Sequence, residues 1–110
     1  MEISTKDMKR VSLVTVSGRV DSATAPDFEK ALQALVQANR SQIVLDLKGV
    51  EYMSSAGIRG MVSSLKAAKG GGGDVRLAHP SARVKEVLEL AGLVSIFTIY
   101  DDLVEAVGSF

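Results

Sequence analysis

The sequence VEYMSSAGIRG, residues 50–60, connects two segments of different periodicity. Before it, residues 43–47 (IVLDL) are almost entirely apolar, which is typical of a strand that is covered on both faces of a sheet. After it, apolar residues recur at helical spacing over residues 58–65. A helix that follows a strand through a short turn favours an α/β fold, and it places Ser54 and Ser55 at the helix start.

The same alternation of strand and helix patterns extends along the whole chain. Gly18 is expected to end the second strand, Thr24 to cap the first helix and Asp101 to cap the last one. We predict strands at residues 3–8, 11–16, 43–47, 75–78 and 95–100, and helices at about 24–38, 56–68, 84–91 and 103–107. The predicted fold is a single α/β domain over residues 1–110, with about five strands and about four helices.

Alternating strands and helices favour a mostly parallel sheet, because right-handed crossovers return the chain to the same sheet edge. The polar pair Lys9 and Arg10 separates the first two strands and is a candidate hairpin turn. The first strand pair is therefore expected to be antiparallel, and the sheet as a whole mixed.

The composition excludes several classes of protein. Thirteen basic and thirteen acidic residues cancel, so no basic surface for nucleic acid is expected. The chain has no cysteine, and we therefore expect no disulfide and no thiolate metal site. The first residues lack a signal-peptide pattern, and no apolar run reaches the roughly 20 residues that a membrane span requires. We expect a cytoplasmic protein with no membrane partner.

Enzymatic patterns are equally sparse. The four glycines at residues 70–73 follow Lys69 and precede Asp74, whereas a phosphate-binding loop ends in Gly-Lys-Ser or Gly-Lys-Thr. His79 is the sole histidine, and the serine motif of the hydrolase elbow is absent. Asp46 is expected to accept hydrogen bonds from neighbouring loop N–H groups, with a direct chemical role as the alternative. We therefore predict no catalytic residue, no metal and no cofactor.

The two serines have three open roles. A serine at a helix start can cap the helix, serve as a nucleophile, or accept a phosphate. The nucleophile role has no support from a histidine in a recognisable catalytic motif. A phosphate would bring about −1.5 to −2 charges to the positive end of a helix, so it is expected to alter the surface without unfolding the domain.

Three segments resemble a known family. The first is VSGRVD at residues 16–21, which is similar to a Gly-x-x-Asp pattern that leads into the first helix. The second is LDL at 45–47 followed by YMSSAGI at 52–58, similar to a Met-Asp-Ser-Ser/Thr-Gly-Leu signature. The third is VLELAGL at 87–93 with FTIY at 97–100. In this order, the segments resemble the STAS domains of anti-sigma factor antagonists over nearly the whole chain.

The resemblance implies a function as well as a fold. It implies that the unphosphorylated protein binds an anti-sigma serine kinase, and that the kinase then releases its sigma factor. It further implies that phosphorylation at the start of the second helix breaks the complex, and that a serine phosphatase restores it. On this view the protein is a ligand and a substrate, not an enzyme.

Two positions depart from the family pattern. Ser54 stands where the usual motif has aspartate, and Ala56 replaces the hydroxyl directly before Gly57. Ser55 is therefore the first candidate for phosphorylation and Ser54 the second. Because the SSAG variant is also familiar in STAS proteins outside sigma-factor circuits, the alternative is an adaptor of another signalling complex whose serines only cap. The residues expected to contact the partner are Arg19, Asp21, Met53, Ser54, Ser55, Gly57, Ile58 and Arg59.

Overall fold

The structure is a computed structural model that describes residues 1–110. Five strands and four helices follow one another along the chain. The strands are β1 (Glu2–Asp7), β2 (Ser12–Val20), β3 (Gln42–Met53), β4 (Asp74–Ala78) and β5 (Ile99–Tyr100). The helices are α1 (Ala25–Gln37), α2 (Ser55–Gly70), α3 (Ala82–Leu90) and α4 (Leu103–Gly108). Element number and order agree with the prediction from the sequence.

The five strands form one sheet in the order β1-β2-β3-β4-β5. The pair β1 and β2 is antiparallel, and every other pair is parallel. The predicted mixed sheet with an antiparallel first pair is thereby confirmed.

The helices divide between the two faces of the sheet. Side chains of α1, α2 and α3 pack with Ile43, Leu45 and Leu47 of β3 in the larger apolar cluster. Val44 points to the opposite face, where it joins a smaller cluster with Ala106 of α4. Because successive side chains of a strand alternate between faces, burial on both faces explains why residues 43–47 are almost all apolar.

The central strands are longer than the sequence indicated. Gly18 was predicted to end β2, but the strand continues to Val20. Gly18 has φ of 83° at a shift in the pairing register, so it acts as a strand irregularity that only glycine adopts easily. The partner strand β3 likewise extends to Met53. Asp46 consequently lies in mid-strand, and its carboxylate accepts a hydrogen bond at 3.1 Å from Lys48 N, which belongs to the same strand and not, as predicted, to a loop.

The last strand is shorter than predicted. Only residues 99–100 pair with β4, and residues 93–97 form turns that are closed by hydrogen bonds to the Leu93 carbonyl. Phe97 is buried in the main core, so the apolar pattern of this segment reflects packing and not sheet pairing.

Two helix caps also differ from the prediction. The Thr24 side chain makes no capping bond to α1; instead Asp21 Oδ1 accepts hydrogen bonds from the N–H groups of Ala23 and Thr24. Asp102, not Asp101, caps α4 by accepting from Val104 N at 3.1 Å. Asp102 thus satisfies an N–H group that the start of α4 leaves unpaired, whereas Asp21 holds the turn that precedes α1.

Candidate functional site

The two central parallel strands bring the predicted site together at their carboxyl ends. Val20 pairs with Met53, and Ser54 N donates a hydrogen bond to Val20 O at 2.8 Å. The loop that follows β2 therefore lies beside the turn into α2. Open α/β sheets place their sites at such strand ends, where loops are free to vary.

Ser54 is the N-cap of α2. Its backbone is extended, with φ of −79° and ψ of 171°, and its hydroxyl accepts a hydrogen bond from Gly57 N at 3.4 Å. Its carbonyl accepts from Ile58 N at 3.0 Å, which closes the first turn. Ser54 is half-buried, and its hydroxyl is committed to the helix.

Ser55 has a different environment from its neighbour. It is the first helical residue, it is exposed to solvent, and its hydroxyl makes no hydrogen bond within the protein. The first-turn N–H groups of a helix point toward this position and favour negative charge. A phosphate on Ser55 would therefore meet a favourable backbone environment.

Three predicted partner-contact residues lie beneath the surface. Met53 and Ile58 are buried, and so is Gly57. A Cβ atom on Gly57 would lie 2.8 Å from Val20 Cγ1 and 2.9 Å from Met53 Cγ, so α2 approaches the sheet more closely than a side chain allows. These residues hold the turn in position. The exposed residues of the predicted set are Ser55 and Arg59 on α2 and Arg19 on β2.

Asp21 and Arg19 are held by contacts in the β2–α1 region. Hydrogen bonds to the Asp21 carboxylate, chiefly from the backbone of Thr24, lower the pKa of Asp21 below its usual value. The guanidinium of Arg19 lies over the ring of Tyr52, 4.5 Å from its centroid. Asp21 thus has a clear structural role as the cap of the loop that leads into α1.

Arg59 lies on an exposed ridge between two grooves. The α1–α2 groove is lined by Ser22, Pro26, Glu29, Ala56, Arg59 and Ser63. The α2–α3 groove is lined by Ile58, Arg59, Val62, Lys66, Ala91 and Leu93. Sequence reasoning missed the second groove because residues 95–100 were predicted as a strand. The available signal was the apolar set Leu90, Leu93 and Val94, which lies between the predicted helix face and that strand.

His79 is too far from the serines to serve them. It follows Ala78, whose pairing partner on β3 is Asp46, whereas Ser54 follows Met53 at the end of the same strand. On β2 the partners of Asp46 and Met53 are Thr15 and Val20, which are five residues apart, so at about 3.3 Å per residue the separation is roughly 16 Å along the strands. His79 is therefore not placed to act as a base for either serine.

No helix of this chain combines the length and the hydropathy that a bilayer crossing requires.

Comparison with known proteins agrees with this geometry. The model of the STAS domain family matches residues 2–106. BtrV of Bordetella bronchiseptica, named provisionally as an anti-sigma factor antagonist, is 30% identical over 110 residues, covering 100% of this chain and 95% of BtrV. The crystal structure of an anti-sigma factor antagonist from Mycobacterium paratuberculosis superposes with a TM-score of 0.89 at 28% identity, covering 98% of this chain and 92% of that one.

The fold is also that of a Bacillus protein solved in a phosphorylated state. The phosphorylated form of the cell fate determinant SpoIIAA has a TM-score of 0.79 at 14% identity, covering 98% of each chain. With its mixed sheet, its helix start at Ser54 and Ser55, and a family match over nearly its whole length, the chain belongs to the STAS domain family.

Proposed function

We propose that the protein is an anti-sigma factor antagonist that binds an anti-sigma serine kinase in its unphosphorylated form and is switched off by phosphorylation of Ser55. The relatives named as such antagonists support the partner class. The kinase transfers the γ-phosphoryl group of ATP to Ser55 Oγ, which loses its proton, and ADP leaves. A serine phosphatase resets the switch by hydrolysis, and the cycle runs in the cytoplasm.

The observation that carries the choice of serine is the difference between the two hydroxyls. The Ser54 hydroxyl is used as the helix cap, whereas the Ser55 hydroxyl is exposed and free. Ser54 Oγ already accepts the capping hydrogen bond from Gly57 N, and a contact of this kind contributes about 1 kcal/mol to helix stability, so a kinase that used this oxygen would have to displace the contact during transfer. Modification of Ser55 leaves the cap in place.

Phosphorylation of Ser55 is expected to leave the fold intact. The added negative charge would arrive at the first helical position, where the helix dipole favours it. The effect on the partner must therefore come from the changed surface. Ser55 and Arg59 give that surface its exposed polar groups, and Met53, Gly57 and Ile58 support them from below.

The experiment is phosphorylation of matched variants by the anti-sigma kinase from the same genome, with ATP and intact-mass detection. Ser55→Ala removes the proposed acceptor. Ser54→Asp removes the other hydroxyl but keeps a good capping residue, so it is the matched control. We expect Ser54→Asp to gain one phosphate and Ser55→Ala to gain none.

Binding of the same kinase completes the test. Wild-type protein should bind before phosphorylation and lose binding after it. Phosphate on the Ser55→Ala variant would assign the switch to another residue. If the wild-type protein binds the kinase but gains no phosphate, the second candidate function is favoured, namely an adaptor whose serines only cap the helix. The SSAG turn and the capping hydrogen bond of Ser54 are also compatible with that function.

A further inference from the structure

The guanidinium group of Arg59 has no ion-pair or hydrogen-bond partner within the protein. The two salt bridges of the chain join Arg40 to Asp7 and Arg76 to Asp74. Arg59 takes part in neither of them, and its exposed side chain makes no hydrogen bond within the protein. Although Glu29 lines the same α1–α2 groove, it does not form an ion pair with Arg59.

The helix places this free cation beside the proposed phosphorylation site. Arg59 is four residues after Ser55 on α2, and residues at this spacing lie on one helical face. Helical side chains lean toward the amino-terminal end of their helix. An arginine side chain that follows this preference from position 59 reaches back toward the turn that carries Ser55.

The same residue borders an apolar surface that is open to a partner. Ile58, Val62 and Leu93 contribute apolar groups to the α2–α3 groove. The adjoining segment exposes Leu90, Val94 and Ile96 to 82%, 44% and 43%, and these are three of the four large apolar residues that the chain leaves exposed. Clustered exposed apolar side chains mark interaction sites in a folded domain.

The charge of this surface defines the chemistry of its partner. Arg59 and Lys66 line the α2–α3 groove together with apolar residues, and no acidic side chain lines it. The whole of α2 contains three basic residues and no acidic one. The complementary surface presents a carboxylate next to apolar side chains.

We propose that Arg59 is shared between two anions: a carboxylate of the partner in the unphosphorylated state, and the phosphate of Ser55 in the phosphorylated state. This inference rests on the proposed function of Ser55. Arginine forms paired, charge-assisted hydrogen bonds to either group. The phosphate is tethered one helical turn away and carries the larger charge, so it withdraws Arg59 from the partner and adds repulsion toward the partner's carboxylate.

The first arm of the test uses this chain alone. Phosphoserine is incorporated at position 55 during translation, and the phosphate is titrated by 31P NMR in wild-type protein, Arg59→Gln and Lys69→Gln. Lys69 is the matched control, because it is an exposed cation of the same helix that lines neither groove. At about 1.5 Å per residue it lies roughly 15 Å beyond Arg59.

A nearby cation favours the doubly charged phosphate. We therefore expect the titration midpoint to rise by about half a pH unit in Arg59→Gln and to stay unchanged in Lys69→Gln. Equal midpoints in all three proteins would overturn the pairing of Arg59 with the phosphate. Such a result would leave phosphorylation of Ser55 by the kinase untouched, so the two proposals fail separately.

The second arm measures binding of the unphosphorylated proteins to the anti-sigma kinase by calorimetry. We expect Arg59→Gln to weaken binding about tenfold and Arg59→Lys to recover part of the loss, with Lys69→Gln binding like the wild-type protein. If Arg59→Gln binds as tightly as the wild-type protein, Arg59 does not contact the partner and the shared-cation proposal is wrong.

Discussion

Gly57→Ala tests whether the close approach of α2 to the sheet holds the functional turn in place. The added Cβ would meet Val20 Cγ1 at 2.8 Å and Met53 Cγ at 2.9 Å, both buried in the core. Overpacking of this kind costs about 1–3 kcal/mol. The better helix propensity of alanine returns at most about 1 kcal/mol, and less near a helix end. We expect a net loss of about 1–2 kcal/mol in the free energy of unfolding.

The assay is urea denaturation followed by circular dichroism, together with the melting temperature. For a chain of 110 residues, a loss of 1–2 kcal/mol corresponds to a decrease of roughly 4–12 °C. Gly70→Ala is the matched control, since no atom lies within 4 Å of a Cβ at that last residue of α2. A Gly57→Ala variant as stable as the wild-type protein would show that the contact with Val20 and Met53 does not require glycine.

Three further predictions concern the same region. Ser54→Ala should lower the free energy of unfolding by about 1 kcal/mol because it removes the cap, whereas Ser54→Asp should match the wild-type protein in the same urea titration. Ser55→Asp should leave the free energy of unfolding unchanged or raise it by up to about 1 kcal/mol, because negative charge is favoured at a helix start. The same variant should weaken kinase binding in a calorimetric titration. If Ser55→Asp unfolds the domain, the proposal that phosphorylation acts only by changing the surface is refuted. Since the pKa of Asp21 is lowered by folding, its contribution to stability is present above the unfolded-state pKa and is lost as the pH falls through the folded-state value. Asp21→Asn should therefore flatten the fall in stability below about pH 4, as measured by urea titrations at a series of pH values; an unchanged pH dependence would remove Asp21 from that role.

The element order and the location of the turn could be predicted because they depend on local pattern. Residues 43–47 are apolar apart from Asp46, and apolar residues recur at helical spacing over residues 58–65, so the change of period between the two segments predicted a strand, a turn and a helix. Capping chemistry then limited the roles of the two serines. Only the three-dimensional structure showed that Ser54 is the cap and that Ser55 carries the exposed hydroxyl, because two adjacent serines have the same side chain and differ only in their backbone position.

The errors in the predicted strand boundaries have a common physical cause. The extension of β2 past Gly18 and of β3 to Met53 depends on pairing between residues that are more than 30 positions apart, so no local window reveals it. The reverse error occurred at residues 95–98, where a strand was predicted that was too long. This apolar, β-branched segment lies before β5, and its residue Phe97 belongs to the core. Strand propensity and core packing select the same residue types, and only the tertiary contacts distinguish them.

The α/β fold, the resemblance to STAS domains and the pair of candidate serines could be inferred from the amino-acid sequence, because periodicity and motif spacing are local properties. Which of the predicted contact residues face the solvent depends instead on how the helices pack on the sheet. Gly57 and Met53 are buried because α2 packs closely on the sheet, whereas Arg59 lies exposed between two grooves that are formed by α1, α2 and the end of α3. A groove between elements distant in sequence exists only after they pack together, and this is why the chemistry beside Ser55 could not be recognised from the turn alone.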